Sequence, residues 1–156
     1  MRARRLGAAT LAPVALLLAG CGGSTRHVPD VSKLPLVAGA SVAAKAQQCD
    51  RGAGAYCSVE LVVVDPRFHT STDLMKTEQR QLHQLGWSLA DGDTGNERAA
   101  DSPGHRLRVT YATASGDLQG IDLGWIDRSQ KITLALSHAL FARSAALSMM
   151  LELGSG

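Results

Sequence analysis

Residues 57–65 read CSVELVVVD and carry the clearest strand pattern in the chain. In the first half of this stretch, the polar Ser58 and Glu60 alternate with apolar residues, a two-residue period typical of a strand with one buried face. The second half is apolar on both faces, which favours a central strand. The stretch therefore predicts a sheet with this strand in its interior.

A partner strand is predicted just before this one. Val42, Ala44 and Ala46 alternate with the residues between them, and the glycine-bearing loop DRGAGA follows at residues 50–55. Two strands separated by such a loop predict a β-hairpin.

A helix is predicted on the C-terminal side, over residues 72–85. Thr70 and Asp73 have the spacing of a capping box at its start, and Gly86 followed by Trp87 has the pattern of a glycine C-cap with an apolar residue behind it. Beyond the helix, the pattern predicts a short strand over 87–90, a turn-rich loop over 91–104 and a half-buried strand over 106–114.

The last part of the chain is predicted to be mainly helical. Residues 116–127 predict an irregular loop or a strand, and a helix follows from Asp127 towards Glu152, with a break at Arg143 and Ser144. The element order is then about ββαββα. This order predicts an α+β fold: a two-layer sandwich of an antiparallel sheet with the helices on one face.

The composition fits one small domain. The chain has 156 residues, of which 45% are hydrophobic, so it can bury one modest core and is too apolar to be wholly disordered. Its net charge is +2, but Arg2, Arg4 and Arg5 lie in the N-terminal segment considered next, and the rest has thirteen basic and fourteen acidic residues. This near neutrality excludes an extended basic face, so we predict no nucleic acid partner.

The N-terminal residues have the layout of an export signal. Three arginines precede a mostly apolar run over residues 6–19, and small residues follow. The run would extend roughly 21 Å as a helix, which is less than the roughly 30 Å of a bilayer's hydrocarbon core. Residues 1–20 are therefore predicted to be a signal peptide rather than a membrane-spanning helix.

The end of this segment, Leu18-Ala19-Gly20-Cys21, resembles the lipobox of bacterial lipoproteins. The resemblance covers residues 1–21 only. It implies that Cys21 takes a diacylglyceryl group, becomes the first residue of the mature chain and is further acylated, as with palmitate. Two or three acyl chains hold a protein firmly on a bilayer. The resemblance thus implies a lipoprotein of the cell envelope, anchored to the cell membrane on its extracytoplasmic face.

The segment after Cys21 is interpreted as a tether. Residues 22–39 are rich in Gly, Ser and Pro, so residues 21–40 are predicted to be a lipidated N-terminus with a flexible tether, and residues 41–156 one small α+β domain. The alternative is that Leu34, Leu36 and Val37 dock on the domain.

Cys49 and Cys57 flank the loop of the predicted hairpin. Export places them in an oxidising compartment, and their spacing matches neither the C-x-x-C redox motif nor a zinc site with a second cysteine pair. We therefore predict a structural Cys49–Cys57 disulfide.

The chain contains no recognisable catalytic motif: a nucleophile elbow, a phosphate-binding loop, an HExxH helix and a dinucleotide glycine pattern are all missing. No two of its five histidines are closer than fourteen positions, and we predict neither a metal nor a cofactor. Trp87, Tyr111 and Trp125 are the candidates for a small-molecule contact, because they lie beside glycines or strand edges. Core packing is the alternative for all three.

These observations favour a non-catalytic binding or interaction module of the cell envelope, with an envelope protein or a small apolar ligand as its partner. One alternative is an extracytoplasmic hydrolase-like enzyme whose dispersed residues, His69, Asp91, Asp93 and His105, converge in the fold. Another is a carrier of an apolar ligand that uses the last helix as a cavity wall.

Overall fold

The computed structural model describes residues 27–50, 56–90, 97–118 and 128–155. Six strands form one antiparallel sheet: β1 (Ser41–Cys49), β2 (Cys57–Val64), β3 (Ser88–Ala90), β4 (Glu97–Asp101), β5 (Leu107–Thr113) and β6 (Ala146–Leu153). Three α-helices pack against it: α1 (Ser71–Gln84), α2 (Ala114–Leu118) and α3 (Gln130–Phe141). The strand order is β1-β2-β6-β5-β4-β3. The predicted α+β class with an antiparallel sheet is confirmed.

The helices lie on both faces of the sheet, whereas the prediction had them on one. Successive side chains of a strand point to opposite faces, so Leu61 and Val63 of β2 pack with α1, and Val62 between them packs with α3. The two sides are called the α1 face and the α3 face below. The physical reason for the difference is that β2 is buried along almost its whole length, and only cover on both sides can bury such a strand.

The predicted caps of α1 are confirmed. The Thr70 side chain accepts a hydrogen bond of 3.0 Å from the N–H of Asp73 at the start of the helix. At its end, Gly86 adopts a φ of 81°, and the N–H of Trp87 donates back to the carbonyl of Leu82. This is a Schellman ending, in which the glycine takes the left-handed conformation and places the indole over the last turn.

The C-terminal prediction is partly wrong. Residues 130–141 form the helix α3, but residues 146–153 form the strand β6, with Leu147 and Met149 on the α1 face and Ala146 on the α3 face. Leucine and methionine favour helices, yet pairing with both β2 and β5 overrides that preference. The turn-rich loop over 91–104 likewise contains a strand, β4, and of residues 116–127 the structure describes only 116–118, which end α2.

The predicted hairpin and disulfide are confirmed. β1 and β2 pair antiparallel, and Cys49 lies directly opposite Cys57 in the register. A disulfide joins the two residues. It closes the hairpin at the end of the sheet where β1 finishes and β2 begins.

Candidate functional site

Residues 28–40, called the strap here, pack along the α1 face before the sheet begins. Leu34 and Val37 are buried in the α1-face core, and Leu36 packs against it. Docking, the alternative to a flexible tether, is thus observed for all three residues. Near its N-terminal end the strap makes a 3-10 turn, Val31–Lys33. Asp30 caps this turn by accepting hydrogen bonds from the N–H and hydroxyl of Ser32. These hydrogen bonds hold the pKa of Asp30 below its ordinary value.

A buried carboxylate holds the middle of the strap. Glu78 projects from α1 among apolar neighbours, and its Oε2 accepts a hydrogen bond of 3.0 Å from the N–H of Val37. Burial raises the pKa of Glu78 to about 7, and the hydrogen bond from Val37 opposes that rise. Burial favours the protonated acid because a charge is poorly solvated there.

Arg67 holds the C-terminal part of the strap. Its guanidinium donates to the carbonyl of Ala38 and pairs with Asp65, which directly follows β2. The hydrogen bonds from Arg67 hold the pKa of Asp65 below its ordinary value. The guanidinium also lies over Gly39, which has a φ of 90°, so a side chain there would collide with it.

The start of the strap lies at the opposite end of the sheet from Arg67. His27 forms a parallel bridge with Tyr56, just before β2, and the Tyr56 hydroxyl donates to the carbonyl of Leu153 at the end of β6. Burial, together with the nearby carboxylate of Glu152, raises the pKa of Tyr56 to about 12. The strap therefore runs the length of the α1 face and brings the chain from this end to the first residue of β1.

A groove opens between the start of the strap and the domain, with a volume of about 410 Å³. This is the size of many small-molecule sites. The strap contributes Val28, Asp30 and Lys33, and the domain contributes Trp87, Ser102, Pro103, Arg106, Leu107 and Leu153. Trp87, Leu107 and Leu153 supply an apolar wall, and Lys33 and Arg106 supply positive charge. Such a groove suits an amphipathic ligand with an acidic group.

The three aromatic candidates do not form one site. Trp87 packs in the α1-face core, as the alternative interpretation has it, and its side chain also lines the groove. Tyr111 is buried and lines a separate cavity of about 10 Å³, room for about one water molecule. Trp125 lies outside the described residues.

The candidate hydrolase residues do not converge where the structure describes them. His69 precedes the start of α1, whereas His105 lies beside Arg106 and the groove, near the other end of that helix. A helix of fourteen residues separates these two ends by roughly 21 Å. Asp91 and Asp93 lie outside the described residues. The long last helix that was proposed as the cavity wall of a carrier is not formed as predicted, because residues 146–153 form a central strand.

A buried polar cluster lies on the α3 face. Arg128, just before α3, donates to the carboxylate of Asp117 in α2 at 2.6 Å. Ser58 and Glu60 of β2 are buried nearby, and burial raises the pKa of Glu60 while the charge of Arg128 opposes the rise. The backbone N–H of Ser129, at the start of α3, also opposes the rise in the pKa of Glu60. The cluster joins α2, α3 and β2 through charge.

The described part of the chain holds no group of three or more His, Cys, Asp or Glu side chains placed to bind a metal. In the same residues, every helix is too short or too polar to cross a membrane.

No protein-family model, no curated protein and no solved structure matches this chain. The groove and the strap are therefore interpreted from their own contacts and charges.

Proposed function

We propose that this chain is a lipid-anchored, extracytoplasmic binding module, which contacts a component of the cell envelope through the groove beside Trp87 and catalyses no reaction. The observation that carries the proposal is that the strap forms one wall of this groove. The strap is also the segment through which the chain reaches the lipobox-like sequence at residues 18–21.

The length of the chain between Cys21 and the groove supports this arrangement. Val28, which lines the groove, follows Cys21 by seven positions. A fully extended chain spans at most about 3.6 Å per residue, so seven residues reach roughly 25 Å. An acylated Cys21 keeps the groove within that distance of the bilayer surface, where envelope components are concentrated.

The composition of the groove supports binding. Small-molecule sites combine apolar walls with a few placed polar groups, and this groove has both. Its two cations come from segments that are 73 positions apart, Lys33 on the strap and Arg106 before β5. The two cations therefore face the same groove only while the strap is docked.

The anchor is tested by the intact mass of the protein after gentle extraction from its own membranes. We expect a chain that begins at Cys21, carries added acyl mass and lacks the two hydrogens lost in the Cys49–Cys57 disulfide. The matched control is Cys21→Ser, which should lose the acyl mass and keep the disulfide. An unmodified wild-type chain cut at another position would contradict the lipid anchor.

The groove is tested by native mass spectrometry of the same preparation. We expect a retained non-covalent mass on the wild-type protein and its loss in the double variant Lys33→Glu/Arg106→Glu. The control double variant is Lys131→Glu/Arg143→Glu, which makes the same charge change at exposed positions in and after α3. If the wild-type protein retained no non-covalent mass, or if both double variants lost it equally, the groove would be contradicted as the binding site.

A further inference from the structure

We infer that the end of the domain around the groove is a membrane-contact face for anionic phospholipid. This face, called the anchor end, comprises Val28, Lys33, Leu85, Leu89 and Arg106. The inference rests on the proposed function and deepens it, because it names the bilayer that carries the lipid anchor as the component that the groove end contacts.

The anchor end exposes large apolar side chains. The exposed fractions are 39% for Val28, 53% for Leu85 and 58% for Leu89. Leu85 directly precedes Gly86, where an added Cβ would lie 3.5 Å from Pro103 of the groove wall. Leu89 follows two residues after Trp87, which also lines the groove. These leucines therefore adjoin the groove. Apolar side chains beside cations are typical of surfaces that lie in the interfacial region of a bilayer.

The charge of the anchor end complements anionic lipid. Lys33 and Arg106 line the groove, and Arg80 lies beside Leu89 in a separate shallow depression along α1. The lining also includes the carboxylate of Asp30, which accepts hydrogen bonds from the N–H and hydroxyl of Ser32, so two cations and one anion leave the groove with an excess of one positive charge. Basic side chains near an anionic bilayer are attracted to it over about a Debye length.

The docked strap determines which end of the domain faces the bilayer. The sheet itself begins at Ser41, which pairs with Val64 near Arg67. Since the strap runs back along the α1 face, the chain leaves the domain at the groove instead, seven residues from Cys21. The anchoring segment therefore attaches where the exposed leucines and cations lie.

The opposite end of the domain supplies an internal comparison. The Ser71 hydroxyl accepts a hydrogen bond of 3.0 Å from the N–H of Ala146, so α1 and β6 meet there. β6 spans roughly 23 Å from Ala146 to Leu153 at the groove. Phe141, 92% exposed, lies five positions before Ala146 and thus at the far end. This orientation directs Phe141 away from the bilayer.

Depth-dependent quenching tests the orientation. Leu89→Cys and Phe141→Cys each introduce one reactive thiol, because Cys49 and Cys57 are joined and Cys21 is acylated under the proposed function. The lipidated variants are labelled with an environment-sensitive fluorophore and reconstituted in vesicles of phosphatidylcholine and phosphatidylglycerol that contain a spin-labelled quencher lipid. We expect quenching at position 89 to exceed quenching at position 141 at least about threefold, and to fall in vesicles of phosphatidylcholine alone.

Charge reversal supplies the matched variants. Added to Leu89→Cys, the pair Lys33→Glu/Arg106→Glu should reduce quenching at position 89, whereas Lys131→Glu/Arg143→Glu should leave it unchanged. Equal quenching at the two positions, or stronger quenching at 141, would overturn the inference. So would a label at 89 that is shielded in native membranes but not in pure lipid vesicles, since a protein would then cover this face.

The two proposals fail in different ways. A chain without acyl mass at Cys21 removes the proposed anchor, and with it the premise of this inference. An acylated chain that retains a groove-dependent mass but shows no preferential quenching at position 89 leaves the proposed function intact and overturns only the membrane-contact face.

Discussion

The carboxylate of Glu78 accepts a hydrogen bond of 3.0 Å from the backbone N–H of Val37, which lies 41 positions earlier in the chain. It joins the middle of α1 to the middle of the strap inside the α1-face core. Within the described residues, the second oxygen, Oε1, lacks a hydrogen-bonding partner. The ionisation of Glu78 is therefore linked to the docking of the strap.

Glu78 should make the protein less stable as the pH rises. The pKa of Glu78 is about 7 in the folded protein and 4.5 when the side chain is exposed. Its contribution to the free energy of unfolding is therefore complete below pH 4.5 and is lost as the pH rises through about 7. We expect roughly 3 kcal/mol of loss between about pH 4.5 and pH 8 from this group. Urea unfolding across this range measures it.

The variant Glu78→Gln distinguishes the pH dependence of stability due to Glu78 from that due to other buried acids. Burial also raises the pKa values of Glu60 and Glu152, which contribute with the same sign. We expect the variant to keep their part of the pH dependence and to lose the part due to Glu78. An unchanged pH dependence in Glu78→Gln would show that Glu78 is not the group responsible.

Removal of the disulfide should destabilise the β1–β2 hairpin. A bridge that closes a loop of this length stabilises by about 2–3 kcal/mol, chiefly by constraining the unfolded chain. We expect the double variant Cys49→Ala/Cys57→Ala to lose that amount in urea unfolding. Addition of a reductant should lower the stability of the wild type similarly and leave the variant unaffected. Equal stability of the two proteins without reductant would contradict this account.

Removal of only one charge from the Asp117–Arg128 ion pair should destabilise the protein. Both side chains are largely buried, so Asp117→Asn leaves the guanidinium without its carboxylate, and we expect a loss of about 3 kcal/mol. The double variant Asp117→Asn/Arg128→Met removes both charges and should lose less than the sum of the single variants. Additive losses would indicate that the two residues are energetically independent.

Gly154 should not tolerate a side chain. A Cβ at this position would overlap the carbonyl oxygen of His105, and the backbone of Gly154 is fixed by its hydrogen bond of 2.9 Å to the carbonyl of Arg106. We expect Gly154→Ala to lose about 1–3 kcal/mol in thermal or urea unfolding, because backbone must move. Gly104→Ala, where a Cβ meets open space but φ is 74°, should lose only about 1 kcal/mol. A larger loss of stability in Gly104→Ala than in Gly154→Ala would contradict the overlap at Gly154.

Local patterns predicted the elements whose cause is local. Thr70 caps α1 and Gly86 ends it through contacts within five positions, and such contacts are visible in sequence. The strand β6 was missed because its cause is distant: Met149 pairs with Leu61 and with Tyr111, and neither contact leaves a trace in the local period. β4 was missed because its sequence, ERAAD, has no β-branched or aromatic residue.

The candidate site was predictable only in part. Trp87 stood out as an aromatic residue behind a glycine cap, whereas Lys33 and Arg106 meet across the groove from distant segments and carry no shared motif. The sequence does contain a pattern that indicates a buried Glu78, and the sequence interpretation missed it. It falls between Leu74 and Leu82 on the apolar stripe of α1, where a carboxylate is unexpected unless it has a buried partner.

The position of β6 has a consequence for how this chain acquires its fold. β6 pairs with β2 on one side and β5 on the other, so in the described sheet it joins the β1–β2 hairpin to the β3–β5 meander. Without residues 146–153, no strand pairing among the described residues joins these two halves. The β1–β2 hairpin and the β3–β5 meander can each form from neighbouring segments, whereas the centre of the sheet waits for a strand that comes after both of them in the chain.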